Sequence, residues 1–548
     1  MVPADTAVAS EPVAQTVVDI GSLSGRPIAW VNVITRPPDP LPGAAAILDG
    51  IHIRTRPRIV RRELLFAAGD TVDSLNVAES MRRLRHIRYL ANVVLTMAPA
   101  ITDSCPGGQS RAGVHPRLPA IGLTVSTRDA WSTRPSARVG SATAGSVVGL
   151  EERNLLGTGR VAKAYLRTDN GRLGAGVAYV DPWLFDRDVI FGVSRDVFRD
   201  GSAVQAGVRT HSRSVFDPWV VELHIAQTAR AAFGASHASV GDTVRRRSGH
   251  LLFDRLLTGS AAGATRLLFG VEGEQAQETA LSTAAVLGPF HLRRSYAALD
   301  LGVARRTASY VANDWLLPQT KRADKAIADI PRGAEGEIIG SVGRDFLTGG
   351  PAFRLDAWGG RMWTPGDHSL ITADAWTSGF RSGADWSAAS VRAALGAYRE
   401  TTRGLWIAHA AAEQLFDPDP TVRALASFDP TLASLPRRNR LAEAAVAASV
   451  ERTVHVRPVS GSYMLDLAAF GAGSLRWEPA ASTADRFGVG ALGVGVRLSP
   501  LREGIATLRL DVGFPVIHSA GLSSHPFVAL SISPWLGSGR QRDGHATH

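Results

Sequence analysis

The sequence predicts a mainly β chain in which a small mixed domain precedes a transmembrane antiparallel β-barrel. Three observations carry this. From about residue 130 to 536 apolar and polar residues alternate, the period of strands with one apolar face. The polar positions of many of those strands hold Arg, Asp or Gly, and no per-blade repeat interrupts them. Ahead of them the pattern changes to strand, helix, helix, strand, strand. A soluble β-sandwich or propeller shares the alternating period and stays open as an alternative.

Composition fits a folded protein. The 548 residues are 45% hydrophobic and 20% charged, with 55 glycines, which argues against disorder and for glycine-punctuated strands. No run of 18 apolar residues occurs, so a spanning helix is not expected, whereas barrel strands escape such scans. The net charge of +10 is spread without a Lys/Arg block interleaved with aromatics, so nucleic acid is not expected as a partner. Anionic lipid head groups or a pore lumen account for it equally. Cys105 is the only cysteine, which excludes a disulfide framework and a cysteine zinc site.

Residues 1–25 are small, polar and aperiodic and read as a flexible lead; no charged stretch followed by an apolar core marks a secretory signal in them. The first domain spans 26–128. Ile28 to Ile34 reads as a strand, ended by Pro37, Pro38 and Pro40. A helix over Arg58 to Ala67 sets Val60 and Leu64 on one face, and a second over Ser74 to Arg88 sets Val77, Met81 and Leu84 together. Gly69-Asp70 separates them, and Asp73 or Ser74 caps the second. Tyr89 to Met97 and Ala120 to Thr127 are the remaining strands, flanking the Pro/Gly loop that holds Cys105. Arg54, Arg56, Arg58, Arg61, Arg62, Arg82, Arg83, Arg85 and Arg88 make this domain basic. A solvated face is the simplest reading of them, and attraction to anionic lipid the alternative.

The barrel is placed at 129–537, with a polar tail over 538–548. Its first turn, Asn154-Leu155-Leu156-Gly157-Thr158-Gly159, has two glycines and an Asn to supply positive φ. The next, Asp181-Pro182-Trp183-Leu184-Phe185, offers a Trp and a Phe to a membrane interface. Further on, Leu299, Leu301 and Val303 alternate with Asp300 and Gly302, and Leu508, Leu510, Val512 and Phe514 with Arg509, Asp511 and Gly513. Such a face pattern suits lipid outside and water inside, because a closed sheet satisfies every backbone group within itself. Stretches near 230–247, 274–292, 312–334 and 413–440 are expected external loops. Phe527 to Leu536 is the expected closing strand.

These motifs carry a family resemblance. Glu152-Arg153-Asn154-Leu155-Leu156-Gly157-Thr158-Gly159, followed by the Asp181-Pro182-Trp183 turn, resembles the first barrel strands of the bacterial outer-membrane protein assembly superfamily, which includes the BamA insertase, TamA and two-partner secretion transporters. The stretch from Ile51 to Leu95 resembles a POTRA domain, the periplasmic module of those proteins. The resemblance implies about sixteen strands, an outer-membrane location in a diderm bacterium with the POTRA-like domain in the periplasm, and a surface-antigen type of barrel.

It also implies three working parts. A POTRA edge strand, here Tyr89, Leu90, Asn92 and Val94, captures extended segments by β-augmentation. A seam between the first and last barrel strands, here Ser136 and Val139 against Phe527 and Leu530, opens sideways. An Arg-Gly-aromatic loop tip pairs with acidic groups in the lumen; the equivalent place reads Leu435-Pro436-Arg437-Arg438-Asn439, without the Gly-aromatic. Arg437 and Arg438 are candidates to pair with Asp511, with a surface position as the alternative. Phe470-Gly471 likewise lacks the acidic residue the family carries after the aromatic.

No H-E-x-x-H, G-x-S-x-G or P-loop motif is present, so the chain is not expected to be an enzyme, and neither cofactor nor metal is called for. Gly171 to Gly176 reads as a hairpin and Asp417-Pro418-Asp419 as a solvated turn. The expected function is insertion, assembly or translocation of polypeptide. Unfolded or secreted clients, outer-membrane lipids and periplasmic accessory proteins are its partners. A passive or structural outer-membrane pore is the first alternative and a soluble all-β binding protein the second.

Overall fold

The computed structural model describes residues 24–38, 52–87, 89–99, 120–139, 146–169, 172–198, 201–231, 243–260, 262–280, 290–307, 310–313, 328–331, 333–366, 368–382, 385–416, 444–459, 463–477, 486–500, 507–518 and 525–533. The first unit runs β1 (Ile28–Arg36), α1 (Pro57–Arg62), α2 (Ser74–His86), β2 (Leu90–Pro99) and β3 (Ile121–Asp129). Its sheet has the order β1-β3-β2, with β1 parallel and β2 antiparallel to β3, so β2 is an edge. One face of that sheet packs on the helices: Val60, Val77, Met81 and Leu84 meet Ile28, Leu123 and Val125 in one buried cluster. The apolar stripes read from the sequence are therefore the core.

The helix caps follow the chemistry. The Asp73 carboxylate accepts from the Leu75 amide at 2.9 Å, so Asp73 is the N-cap of α2. The first helix is shorter than its predicted span to Ala67. Leu64 and Phe66 are buried, yet the Leu65 amide is drawn off the helix to donate to Ser80 Oγ of α2 at 2.7 Å. Asp70 then accepts from the Ala67 amide at 2.8 Å and closes the turn.

After β3 come β4 (Thr133–Val139), β5 (Ser146–Leu155), β6 (Arg160–Asp169), β7 (Arg172–Asp181), β8 (Val189–Phe198), β9 (Gly201–Thr210) and β10 (Trp219–Ala231). The long strands β11 (Thr243–Ser260), β12 (Gly263–Ala280) and β13 (Phe290–Thr307) follow, then a small hairpin of β14 (Tyr310–Asn313) and β15 (Ala328–Pro331). The rest are β16 (Gly333–Asp345), β17 (Pro351–Gly366), β18 (Ser369–Ser382), β19 (Asp385–Thr401), β20 (Gly404–Phe416), β21 (Ala444–Val459), β22 (Tyr463–Trp477), β23 (Arg486–Pro500), β24 (Thr507–His518) and β25 (Phe527–Ser533). All except the β14–β15 hairpin close one antiparallel barrel of twenty strands. This exceeds the sixteen that the resemblance implied. It also begins at Thr133, because β3 runs through Asp129.

Several predicted loops are strand instead. β11, β12 and β13 are 18 residues long, well beyond the 9–11 that cross a bilayer, so they carry the wall past the membrane into stretches read as loops. The predicted 312–334 loop contains β15 and the end of β14, and β15 lies against α2. Between β6 and β7 the register continues to Asp169 opposite Arg172, which makes the glycine cluster part of a hairpin.

The barrel is turned inside out relative to a soluble core. Leu299 is 68% and Leu301 64% exposed on the outside, while their neighbour Asp300 is buried. Leu492 and Val494 face out while Arg497 is buried within, and Leu510 faces out beside the buried Asp511. A continuous apolar exterior around a charged interior is stable only where the exterior meets hydrocarbon.

Candidate functional site

Functional groups gather at three places: the joint between the first domain and the barrel, the junction of the first and last barrel strands, and the charged lumen wall.

The joint is built from three successive barrel turns. In the β5–β6 turn Leu156, Gly157 and Gly159 take positive φ, not Asn154. Asn154 instead uses its amide as a bracket: its Oδ1 accepts from the Gly159 amide at 2.9 Å and its Nδ2 donates to Thr55 Oγ1 at 2.8 Å. The Gly157 carbonyl accepts from the Arg56 amide at 3.0 Å. A side chain at Gly157 would strike the Arg54 carbonyl, and one at Gly159 the Tyr89 hydroxyl. Burial next to Glu63 and Asp129 pushes the Tyr89 hydroxyl well above its ordinary value of 10.0.

In the β7–β8 turn Asp181 accepts from the Trp183 amide at 3.0 Å and pairs with Arg160 at 2.9 Å. Trp183 does not reach a membrane interface. It is buried, stacked on His211 at 4.2 Å between centroids, with the Arg62 and Arg213 guanidiniums 5.5 Å and 5.9 Å from the ring. Phe185 is the exposed aromatic, at 84%. Arg62 pairs with Asp186 at 3.0 Å and holds that carboxyl below its ordinary range. From the β9–β10 turn His211 approaches Arg83 at 3.2 Å and the Ser212 carbonyl accepts from Arg83 at 3.1 Å; Arg83 also pairs with Glu63. Arg83 and Glu63 are both buried, so part of the predicted solvated arginine face is interior. The connecting segment is tied by Asp129, which accepts from the Thr55 amide at 2.7 Å and meets His52 at 3.0 Å.

At the predicted edge strand, Tyr89 is a turn residue before β2, and Leu90, 1% exposed, belongs to the core. Asn92 and Val94 lie within β2 proper, which pairs with β3 and occupies the outer place in the sheet. The side available to another strand therefore starts after Leu90.

At the junction of the first and last barrel strands, among the described residues, Leu530 of β25 lies opposite Val139 of β4 and Ser531 opposite Arg138. On their other sides Ser136 lies opposite Gly149 of β5 and Phe527 opposite Gly513 of β24.

Inside the barrel Arg497 forms a two-bonded fork on Glu451, at 3.1 and 3.0 Å, and reaches Asp511 at 2.6 Å. Arg509 pairs with the same Asp511 at 2.5 Å and lies 5.7 Å from the Phe470 ring centroid. The space for this cluster comes from β23, where a side chain at Gly493 would meet Phe470 and one at Gly495 would meet Asp511. Asp511 therefore has two wall arginines as partners. Arg437 and Arg438 lie outside the described residues, as do Cys105 and Asp417-Pro418-Asp419. A second cluster on the β12–β17 wall sets Arg354 on Glu272 at 2.9 Å and on Asp356 at 2.6 Å. Asp511 was read as a lumen acid from the sequence, but its partner Arg497, the shared Glu451 and the Arg354–Glu272 pair were not, since they meet only through barrel register.

No family model and no curated protein matches the chain. Among solved structures it is similar to CdiB from Escherichia coli, at 11% identity and TM-score 0.43 over 95% of this chain and 79% of that one. CdiB from Acinetobacter baumannii follows at 12% and 0.37, over 92% and 74%. BamA from Haemophilus ducreyi lacking POTRA domains 1-3 is similar at 11% identity and TM-score 0.32, over 92% and 84%. The siderophore receptor PirA from Pseudomonas aeruginosa is similar at 10% identity and TM-score 0.32, over 75% and 82%.

Proposed function

We propose that the chain is an outer-membrane barrel that inserts, assembles or translocates polypeptide, its first domain acting as a periplasmic POTRA-like module. The observation that carries this is a closed barrel, apolar outside and charged inside, whose first and last strands meet at Leu530–Val139 and Ser531–Arg138, preceded by a small domain with β2 at the edge of its sheet. A client strand needs backbone partners before it can leave water for lipid, and parting the two terminal strands would supply them. The outer side of β2 offers a first set of such partners, on which an extended segment adds as a further strand. On this reading the clients are unfolded or secreted chains, the surroundings are outer-membrane lipids, and accessory proteins in the periplasm meet the first domain. The work is binding and passage, without a chemical step on the client.

The test is to lock the seam. With Cys105→Ser as background, Val139→Cys together with Leu530→Cys places two thiols at paired positions. Oxidation is expected to stop client insertion or secretion while heat-modifiable mobility of the barrel persists, and reduction restores it. Client handling at the wild-type rate with the disulfide formed refutes the lateral seam. A passive pore is the second reading, favoured by the complete pairing of Asp511 within the wall. Ohmic conductance in planar bilayers with no client phenotype on deleting residues 26–128 distinguishes it.

A further inference from the structure

Arginines on the two faces of the barrel differ in one respect. Most of those inside with a described partner are paired with carboxylates: Arg246 and Arg294 with Glu274, Arg266 with Asp254, Arg354 with Glu272, Arg497 with Glu451; Arg392 instead lies over the Trp376 ring. Four that face outward, Arg255, Arg361, Arg399 and Arg452, pair with no carboxylate among the described residues. Three of them lie beside an exposed indole. The guanidinium of Arg255 is 5.3 Å from the Trp219 ring centroid, that of Arg361 5.2 Å from Trp363, and that of Arg452 5.2 Å from Trp406.

The densest group is on β19, β20 and β21. Register sets Arg399 opposite Trp406 and Trp406 opposite Arg452, so one outward row reads Arg-Trp-Arg across three neighbouring strands. Trp406 is 46% exposed. Arg452 is oriented by its contact with the ring and by a bond from its Nη2 to Thr401 Oγ1 at 2.9 Å. The two arginines are two strand spacings apart, about 10 Å at Cα. Moving away from the first domain, the following outward rows are apolar: Ala397, Ala408 and Val450, then Leu395, Ala410 and Ala448, then Ala393, Ala412 and Val446. In the other direction β19 and β20 end within two residues of the row, at the connection between Thr401 and Gly404, while β21 runs on to Val459 with Val454 and Val456 exposed. On β19 and β20 the row therefore marks one rim of the apolar band, at the end of the barrel where His211 and Ser212 meet Arg83.

We infer that Arg399, Trp406 and Arg452 form a binding site for the phosphate of an anionic phospholipid in the leaflet facing the first domain. An indole at the rim holds the glycerol and acyl-chain boundary, and two uncompensated guanidiniums at that depth attract a phosphate diester from either side. Paired charges inside the lumen have no such demand. The inference rests on the membrane-barrel reading of the proposed function.

The experiment uses the full chain in nanodiscs of phosphatidylcholine doped with brominated phosphatidylglycerol or with brominated phosphatidylcholine. Quenching of tryptophan fluorescence reports which lipid stays beside the rim, and Trp406→Phe identifies the contribution of Trp406. Phosphatidylglycerol is expected to be enriched over phosphatidylcholine near Trp406 by about fivefold per arginine. Arg399→Gln with Arg452→Gln should remove the enrichment, and Arg399→Lys with Arg452→Lys should retain part of it. Equal quenching by the two lipids in the wild-type protein, or enrichment unchanged in the double Gln variant, overturns the site. Heat-modifiable mobility of each variant separates loss of the site from loss of the barrel. A wild-type chain that enters no bilayer at all sinks the membrane reading itself.

Discussion

Replacing Glu63 by Gln should release the first domain from the barrel without unfolding either. Glu63 is the carboxylate partner of Arg83, and both are buried where α1, α2 and the β9–β10 turn meet. Breaking a buried pair from one side costs about 3–5 kcal/mol, because the remaining charge is stranded out of water. Here Arg83 keeps the Ser212 carbonyl at 3.1 Å and His211 at 3.2 Å, which brings the expected loss down to about 2–3 kcal/mol. That is a fall of roughly 30- to 150-fold in the docking equilibrium. The reporter is the Arg56 amide, whose acceptor is Gly157 across the joint. Its hydrogen exchange should accelerate by that factor, while the amide of Val125, fully buried in the domain sheet, keeps its protection. Adding Arg83→Met should recover most of the loss, since an apolar replacement of both partners leaves no stranded charge. Unchanged exchange at Arg56, or equal loss of protection at Val125, refutes the account in which Glu63 holds Arg83 for its contacts with Ser212 and His211 across the joint.

Gly157→Ala should destabilise docking by about 1–3 kcal/mol, through its φ of 70° and the clash with the Arg54 carbonyl. Gly349→Ala, at a φ of 71° with open space around it, supplies the strain without the clash, so the difference in melting between the two variants isolates the joint. The Tyr89 hydroxyl, held neutral by burial, adds stability that is complete below about pH 10 and is lost as pH rises beyond it. Tyr89→Phe should therefore flatten the alkaline limb of a pH–stability curve, and an unchanged limb would contradict this origin. Asp511→Ala leaves Arg497 and Arg509 to share Glu451 and should shift reversal potentials toward anion selectivity in a salt gradient.

The sequence exposed what is local and periodic. Val60, Val77, Met81 and Leu84 were readable as core because helix spacing alone puts them on one face, and Asp73 because a cap acts within two residues of itself. The outward and inward sets of the barrel were readable because a strand's period is two. What pairs across distance was not. Arg83 and His211 are 128 residues apart, and Arg497 and Glu451 46 apart; only barrel closure and register bring them together. Trp183 misled for the same reason, since an indole after a strand suits a membrane rim and an interdomain stack equally well until the neighbouring His211 is placed. The strand number implied by the resemblance, about sixteen, falls short of the twenty that close the barrel.

The position of the joint bears on how the seam can move. The polar contacts that fasten the first domain fall on the turns after β5, β7 and β9, with β15 against α2 further round the wall. β4 is tied to this anchored arc by its pairs with β5 and by the Ser132 carbonyl, which accepts from the Arg153 amide at 3.1 Å. β25 reaches the same arc through its pairing with β4 and is carried on its other side by β24. A lateral opening therefore does not need the first domain to let go: β4 stays with the domain and β25 swings with β24. Loosening the joint by Glu63→Gln and locking the seam by disulfide should consequently act independently, the first altering how a client is delivered and the second whether it can enter. If undocking the domain alone changed the ease of seam cross-linking, the two would be one device, and the division drawn between an anchored β4 and a mobile β25 would be wrong.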